Sequence, residues 1–256
     1  MTDWHSLTEE LDCWADQGLS ATLWWRDDDA ALPDPALDRL LGFCPEPLAL
    51  AVIPEKVHGE AAAAILAQRA ATVIQHGYAH RSYAARGEGK SEYSEARDAE
   101  DALDELVIGR RKLEALFGDR FEPILAPPWN RLAESYTGQL VGVGLSGLSR
   151  YGPRPAASPA TGVAQVNSHI DLIDWRGSRG FVGEDIALGL AIGHLAARRA
   201  GTVDALEPTG LLSHHLVHDA ATWRFIEDFM DATGRHDAAR WLTVSEAFQR
   251  IPNNGE

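Results

Sequence analysis

Short apolar segments alternate with amphipathic helical patterns along the whole chain. A strand that helices cover on both faces is almost continuously apolar, and such segments recur here with turn residues around them. The apolar pattern predicts strands over 21–26, 47–53, 72–75, 121–125, 144–149, 164–169 and 209–213. Helical patterns predict helices over 6–17, 35–43, 58–69, 91–117, 132–141, 185–199, 220–233 and 244–249. This alternation predicts an α/β fold with a parallel sheet, and about seven such units favour closure into a barrel.

The first predicted strand ends in an unusual concentration of charge. Its apolar residues lead through Arg26 into Asp27, Asp28 and Asp29. Neighbouring carboxylates repel one another, and a cation relieves that repulsion. Divalent metals accept carboxylate and imidazole ligands in proteins. A solvated acidic turn is the alternative interpretation, because most charge runs lie on the surface.

Polar clusters also follow the later strands. In α/β barrels the loops after the strands converge on one face, which carries the active site. The sequence therefore predicts that these clusters meet in one pocket. The clusters are His76 and His80, 127–131, His169 with Asp171 and Asp174, and His214 with His215.

The spacing of His76 and His80 predicts two imidazoles on one face of a helical turn, which suits a single metal ion. With one aspartate from the first strand, they form a three-ligand set that leaves a coordination position open, as in catalytic sites. A carboxylate that takes a proton from water and a histidine that protonates the leaving group complete the requirements for hydrolysis of an amide or ester.

Composition and charge exclude several classes of protein. The 256 residues carry a net charge of −15, which has the wrong sign for a nucleic-acid partner. No stretch approaches the roughly 18 apolar residues of a membrane span, and no signal peptide is evident. The two cysteines lack metal-binding or redox spacing. We therefore expect a cytoplasmic protein without membrane or nucleic-acid partners, and the sequence does not indicate its oligomeric state.

The order of the motifs resembles that of the polysaccharide deacetylase family, which includes chitooligosaccharide and peptidoglycan deacetylases. The resemblance spans Trp24 to His214 and rests on four motifs. They are the aspartate run, His-x-x-x-His at 76–80, Pro-Pro-Trp at 127–129 and Leu-Ser-His at 212–214. It implies a distorted (β/α)7 barrel and a divalent metal, expected to be zinc. It also implies removal of an acyl group, usually acetyl, from the nitrogen or oxygen of a sugar or oligosaccharide. One domain is expected over 1–256, with an N-terminal helix in 1–19 and a C-terminal helix and tail in 241–256.

The resemblance also implies roles for individual residues. His76 and His80 match the ligating histidines, and His214 matches the general acid. The family has two aspartates followed by a small residue, so Ala30 favours Asp28 as the base and Asp29 as the third ligand. Asp27 and Asp28 form the alternative pair. Expected substrate contacts are Tyr78, Pro128, Trp129, Asn130, Arg131, His169 and Asp174, although His169 and Asp174 could instead cap the following turn.

One motif departs from the family. An arginine that orients the base usually precedes the two prolines, and Ala126 occupies that position here. Arg26 and Arg131 are candidate replacements. Two other functions stay open at this stage: a metal-dependent amidase that acts on a small non-sugar amide, and a non-catalytic carbohydrate-binding relative.

Overall fold

Strands and helices alternate along the chain as the apolar pattern predicts. The computed structural model describes residues 2–44 and 47–249. Within these ranges the helices are α1 (Trp4–Asp16), α2 (Pro35–Phe43), α3 (Gly59–Ala67), α4 (Ala99–Phe117), α5 (Glu134–Thr137), α6 (Glu184–Arg199), α7 (Ala220–Gly234) and α8 (Val244–Gln249). The strands are β1 (Ala21–Ala30), β2 (Leu48–Val52), β3 (Ala71–Gln75), β4 (Phe121–Leu125), β5 (Gly147–Leu148), β6 (Ala164–Gln165), β7 (Ile170–Asp171), β8 (Thr209–Ser213) and β9 (Ala239–Trp241). The predicted C-terminal tail lies outside the described residues from position 250 onward.

The strands form one curled parallel sheet. Its order is β6-β5-β4-β3-β2-β1-β8-β7, and β9 pairs with the start of β1. The extended segment 164–171 joins the two ends of this sheet, because β6 pairs with β5 and β7 pairs with β8. The single strand predicted over 164–169 is therefore wrong: two short strands pair with opposite neighbours. The predicted distorted (β/α)7 barrel is confirmed.

Alternate residues of β1 face two different cores. Trp25 packs in the layer between the sheet and the helices, together with residues of α1, α2 and α7. Trp24 points to the other side of the sheet, into a smaller cluster inside the barrel that contains Ala49 and Ile74. Residues of α8 pack against the same cluster, with Phe248 edge-on to Trp24. Both indoles are fully buried, and truncation of such a side chain to alanine typically costs about 3–5 kcal/mol.

Several element boundaries differ from the predicted ones. The helix predicted to begin at Ser6 begins at Trp4, because the carboxylate of Asp3 accepts the backbone N–H of Ser6 and acts as the N-cap. The helix predicted over 91–117 begins only at Ala99, where Asp98 caps two backbone amides. The helix predicted over 132–141 shrinks to α5. None of the helices in 2–44 or 47–249 has the length and apolar character needed to cross a bilayer.

Candidate active site

A bulge in β1 sends its three aspartates to different places. Between Asp27 and Ala30 the strand advances three residues while β2 advances two, from Leu50 to Val52. Asp29 lies at this irregularity with a left-handed φ of 74°. Strand alternation places Asp27 and Asp28 on opposite faces of the sheet. The extra residue then turns Asp29 to the side of Asp28, and both carboxylates line the same cavity.

Asp27 lies on the helix side of the sheet and forms a buried ion pair. Its Oδ1 is 2.5 Å from Nδ1 of His215, and its Oδ2 accepts the hydroxyl of Ser213 at 2.5 Å. Burial would raise the pKa of Asp27, but the His215 charge and these hydrogen bonds outweigh it and hold the pKa below its ordinary value. Asp27 therefore fixes the end of β8 and the turn after it. It does not line either of the cavities at the site.

Arg26 holds Asp28 in a two-point contact. The guanidinium places Nε 2.9 Å from Oδ1 and Nη2 3.0 Å from Oδ2, and both side chains are buried. Arg26 is itself anchored, because it donates to the carbonyl and hydroxyl of Ser149 at 3.1 and 2.7 Å and to Oδ1 of Asn130 at 2.6 Å. Paired charged contacts of this kind are strong and fix orientation.

Of the two candidate replacements for the arginine absent at Ala126, Arg26 contacts Asp28. Arg131 instead donates to the carbonyl of Lys90 at 2.9 Å. Arg26 and Asp28 are two residues apart on one strand, so their side chains share a face. The contact that the family pattern assigns to a loop is thus made within β1.

Asp29, His76 and His80 bring three potential ligand atoms together. Oδ1 of Asp29 is 3.2 Å from Nε2 of His76 and 3.1 Å from Nε2 of His80. Nδ1–H of His76 donates to the carbonyl of Ala126 at 2.9 Å. The ring can therefore carry a second proton on Nε2 and donate it to Asp29, or lose that proton and offer the Nε2 lone pair to a cation.

The donor set fits a divalent metal. Burial would raise the pKa of Asp29, but hydrogen bonds with His76 and His80 hold it well below its ordinary value. An ionised carboxylate and an imidazole lone pair both attract a cation. Two histidines and one carboxylate also leave a position open for another ligand, as catalytic metal sites require.

The loop that carries the two histidines is not the predicted helical turn. Gly77 and His80 both have left-handed backbone angles, with φ of 58° and 55°. A side chain at Gly77 would collide with Glu92 and Pro128. The spacing thus brings the imidazoles together by a different backbone path from the one the sequence suggests.

Glu92 secures this loop, and the sequence analysis missed it. Its buried carboxylate accepts the backbone N–H groups of Ala79 at 2.7 Å and Tyr78 at 3.3 Å. Burial raises the pKa of Glu92, while these two amides lower it. Glu92 falls inside the segment 91–117 that was predicted to be helical. No local pattern marks it, because its partners are backbone amides 13 and 14 residues away.

His214 directly follows β8 and lines the larger cavity together with His76 and His80. Its Nε2 is 3.9 Å from Oδ2 of Asp28. The ring of Trp175 packs edge-on against it at 4.7 Å, and the indole N–H of Trp175 donates to Asp171 at 2.9 Å. Burial raises the pKa of Asp171, whereas His214 lowers it. Asp171 belongs to the polar cluster predicted from the sequence at 169–174, and Trp175 directly follows that cluster.

Two cavities meet at the candidate metal ligands. The larger, of about 520 Å³, is lined by Asp28, His214 and the two tryptophans Trp129 and Trp175, and the smaller, of about 410 Å³, borders Asp29 and His80 from the other side. Trp129 lies against His80 with ring centroids 4.4 Å apart. The larger cavity is thus an open groove lined by two tryptophan side chains.

The predicted contacts 129–131 line the larger cavity, but four others do not. Asp174 caps its own turn, where its carboxylate accepts the N–H groups of Gly177 and Ser178. His169 is only 4% exposed and contacts the interior of the fold. Pro128 packs against Gly77, where it supports the histidine loop. The backbone N–H of Tyr78 contacts Glu92 in the same loop. Substrate contact by Tyr78, Pro128, His169 and Asp174 stays a prediction from the sequence.

His169 belongs to a second, fully buried polar cluster. Its ring stacks on His194 with centroids 3.4 Å apart, and its Nε2 is 3.4 Å from the carboxylate of Glu207. Nδ1 of His169 accepts the N–H of Gly210 at 3.0 Å, so in the neutral ring the proton is on Nε2. A protonated Nε2 cannot bind a metal. This cluster is therefore a hydrogen-bonded support beneath β7 and β8.

The buried cluster should make the fold sensitive to acid. Burial, and then the charges of Arg198 and Arg154, lower the pKa of His169 to about 3, while burial, His169 and Arg198 lower that of His194 to about 2. Below about pH 6.5 the unfolded histidines bind protons that the folded ones do not, so stability falls as pH falls. Between about pH 7.5 and 5.5 we expect a loss of about 1.4 kcal/mol per histidine.

Urea unfolding of the parent and of His194→Gln at both pH values tests this expectation. Burial raises the pKa of Glu207, which opposes the effect, so each protein is compared with itself at the two pH values. The loss on acidification should be smaller in His194→Gln by about 1.4 kcal/mol. His5→Gln, on the exposed surface of α1, should lose as much as the parent. Equal losses in all three proteins would contradict the expectation.

The curled parallel barrel is similar in fold to solved carbohydrate esterases of family 4. No protein-family model matches the sequence, and no curated protein sequence is significantly similar to it. Solved structures are similar. The chitin deacetylase from Colletotrichum lindemuthianum has 15% identity and a TM-score of 0.55, over 92% of this chain and 91% of that one.

Two further structures give the same result. A peptidoglycan N-acetylglucosamine deacetylase has 15% identity and a TM-score of 0.54, over 92% of this chain and 95% of that one. A family 4 acetyl xylan esterase from Clostridium thermocellum, in complex with a cobalt ion, has 15% identity and a TM-score of 0.50, over 90% and 93%. At these identities the comparisons show a shared fold, and the resemblance found in the sequence is confirmed at that level.

Proposed function

We propose that the chain is a metal-dependent hydrolase that removes an acyl group, expected to be acetyl, from the nitrogen or oxygen of a sugar. The observation that carries this proposal is the setting of Asp28. Its carboxylate is held by Arg26 at 2.9 and 3.0 Å, lies beside Asp29 on the same bulge, and is 3.9 Å from His214. A carboxylate, a histidine and a set of metal ligands thus share one groove. The fold, common to deacetylases and an acetyl xylan esterase, supports the same proposal.

Asp29, His76 and His80 are the residues that would hold the metal. We expect zinc, and the cobalt ion in the acetyl xylan esterase supports a divalent ion on this fold. A divalent metal supplies a Lewis acid that polarises the acyl carbonyl and makes water more acidic. The hydrogen bond from His76 to the Ala126 carbonyl keeps the ligand lone pair directed at the site.

Asp28 and His214 divide the proton transfers. Asp28 takes a proton from the attacking water, and Arg26 holds its carboxylate in position for that step. His214, which lines the same groove, gives a proton to the departing nitrogen or oxygen. An imidazolium suits this role because it releases its proton near neutral pH. Trp175 fixes the His214 ring by an edge-on contact at 4.7 Å.

The walls of the groove favour a sugar over a small amide. Trp129 and Trp175 are both partly exposed and both line the larger cavity. Aromatic faces give the apolar surface on which a sugar ring packs. The alternative of a non-catalytic relative depended on Ala126, and Arg26 supplies the contact that Ala126 cannot make. The cytoplasmic location and the absence of nucleic-acid partners stay predictions from the sequence.

His214→Ala tests the proposed chemistry on two kinds of substrate. An amine leaving group must be protonated, whereas the phenolate of an aryl acetate departs without a proton. We therefore expect His214→Ala to lose about 10²-fold or more in kcat on N-acetylglucosamine oligomers, and less than about tenfold on an aryl acetate. Acetate release measures the first reaction and absorbance the second.

Metal content provides the control for this variant. His214 is not one of the three converging ligands, so His214→Ala should bind as much metal as the parent. Equal losses on the two substrates would show that His214 does not protonate the leaving group. If the metal-loaded parent released no acetate from any acetylated sugar, the proposed function itself would be wrong.

A further inference from the structure

Four basic side chains line the larger cavity around the candidate catalytic residues. They come from three separate loops, which follow β3, β4 and β7. They are Lys90, Arg131, Arg176 and Arg179. This concentration is notable because the chain as a whole has a net charge of −15, with 23 basic and 38 acidic residues. The groove therefore carries a local concentration of positive charge in a protein whose net charge is negative.

The carboxylates in the cavity do not neutralise this basic group. Asp28 is paired with Arg26, and Asp29 faces the two histidines. Asp171 accepts the indole N–H of Trp175 and the backbone N–H of Ile173. Within residues 2–44 and 47–249, no carboxylate lies within ion-pair distance of any of the four cations.

The loop between β7 and α6 presents two of the cations on a fixed turn. The Asp174 carboxylate accepts the N–H groups of Gly177 and Ser178 at 2.9 and 3.0 Å, and its carbonyl accepts that of Arg179 at 2.9 Å. Arg176 and Arg179 are thus carried by a closed turn at the edge of the groove. This turn explains the place of Asp174, which positions the cations and does not contact the groove.

The loops after β3 and β4 present the other two cations, Lys90 and Arg131. Nη1 of Arg131 donates to the carbonyl of Lys90 at 2.9 Å, so the two residues are linked. A side chain at Gly89 would collide with the Arg131 guanidinium, which shows how closely this guanidinium lies against the loop. Nζ of Lys90 is 5.9 Å from the ring of Trp129. A sugar that packs on Trp129 would have both charges beside it.

We propose that the sugar substrate carries an anionic group, such as the carboxylate of a uronic acid, which the cations of this groove bind. The inference rests on the proposed function and names its substrate class. Guanidinium groups bind carboxylate and other oxyanions by paired hydrogen bonds. Unpaired charges of one sign along a cleft also concentrate substrates of opposite sign, an effect that salt screens.

The test compares two oligosaccharides of equal length. A chitin hexamer is neutral, and a hyaluronan hexamer alternates N-acetylglucosamine with glucuronic acid. By titration calorimetry we expect the hyaluronan hexamer to bind about tenfold or more tightly at about 20 mM salt, and this advantage to shrink at about 500 mM. Arg176→Gln/Arg179→Gln should reduce the ratio of the two affinities by about tenfold. In kinetic measurements on the hyaluronan hexamer, this double variant should change KM rather than kcat.

A charge-matched double variant controls for the net charge. Arg69→Gln/Arg224→Gln removes two exposed cations that line neither cavity, and it should leave the ratio of affinities unchanged. The inference is overturned if the neutral hexamer binds as tightly as the charged one, or if the two double variants lower the ratio equally.

Acetate release separates the two proposals. Turnover of the neutral hexamer without a preference for the charged one would contradict the anionic substrate and leave the deacylase intact. Preferential binding of the charged hexamer, with no acetate released from either, would contradict the deacylase and support the anion-binding groove.

Discussion

Replacement of Asp28 by asparagine should reduce turnover by about 10²- to 10⁴-fold and leave metal binding unchanged. The amide has the size of the carboxylate but cannot accept a proton from water. Its oxygen still accepts one hydrogen bond from Arg26, so the strand end should keep its conformation. The measurements are kcat on an acetylated oligosaccharide and the metal content per chain. Asp28 is not one of the candidate ligands Asp29, His76 and His80. The Asp28→Asn protein should therefore contain as much metal as the parent.

Asp27→Asn is the matched control, and its expected result changes once the structure is considered. From the sequence alone, this substitution should be mild. In the structure Asp27 is buried and paired with His215, so its loss leaves a buried histidine without its partner. We expect a loss of about 3–5 kcal/mol in the free energy of unfolding, measured by urea titration. A different result would assign the base to Asp27. In that case Asp27→Asn would lose turnover and keep its stability, and Asp28→Asn would lose the metal.

Replacement of His80 by alanine should abolish metal binding and activity together. His80 offers one of the three candidate ligand atoms. Removal of a residue that only hydrogen-bonds to a metal ligand already lowers metal affinity by about 10- to 100-fold. The affinity of His80→Ala for zinc, measured by equilibrium dialysis, should therefore be more than about 100-fold lower than that of the parent. His80 is preferable to His76 for this test, because His76 is buried and its Nδ1–H is bonded to the backbone.

Thermal denaturation with and without zinc gives a readout that does not depend on activity. A ligand that binds only the folded state raises the melting temperature, so the parent should gain stability with zinc and His80→Ala should not. His58→Ala is the control, because His58 is exposed and its side chain makes no capping hydrogen bond. Full activity of the parent after its metal is removed by a chelator would exclude metal-dependent hydrolysis.

The sequence predicted the place of the site because the rule behind it is simple. The loops after parallel strands converge on one face of a barrel. Once β1, β3, β4 and β8 are correctly located, the polar clusters that follow them are therefore expected to lie together. The apolar pattern located these strands, since β1, β3 and β8 are almost entirely buried and β4 is buried at its carboxyl end. The pairing of His76 with His80 survived even though the backbone between them is not a helical turn.

Contacts distant in sequence could not be predicted in the same way. The position of each aspartate depends on one extra residue in β1, and a bulge has no reliable signature in a run of identical side chains. Glu92 acts on backbone amides, whose positions no side-chain pattern records. The division of 164–171 into β6 and β7 depends on pairing with two different neighbours, β5 and β8.

The Arg26–Asp28 contact has a consequence for how sites of this kind diverge. Four consecutive positions of β1 carry Arg26, the buried ion-pair residue Asp27, the carboxylate of Asp28 and the carboxylate of Asp29. Arg26 orients Asp28, and Asp29 faces the two histidines of the loop after β3. The loop after β4 then needs to supply only Asn130 to this group, through one hydrogen bond to Arg26. Its remaining positions are free to change without disturbing the carboxylate. A lineage with this arrangement can change the part of the cavity wall that this loop forms by mutations in one loop.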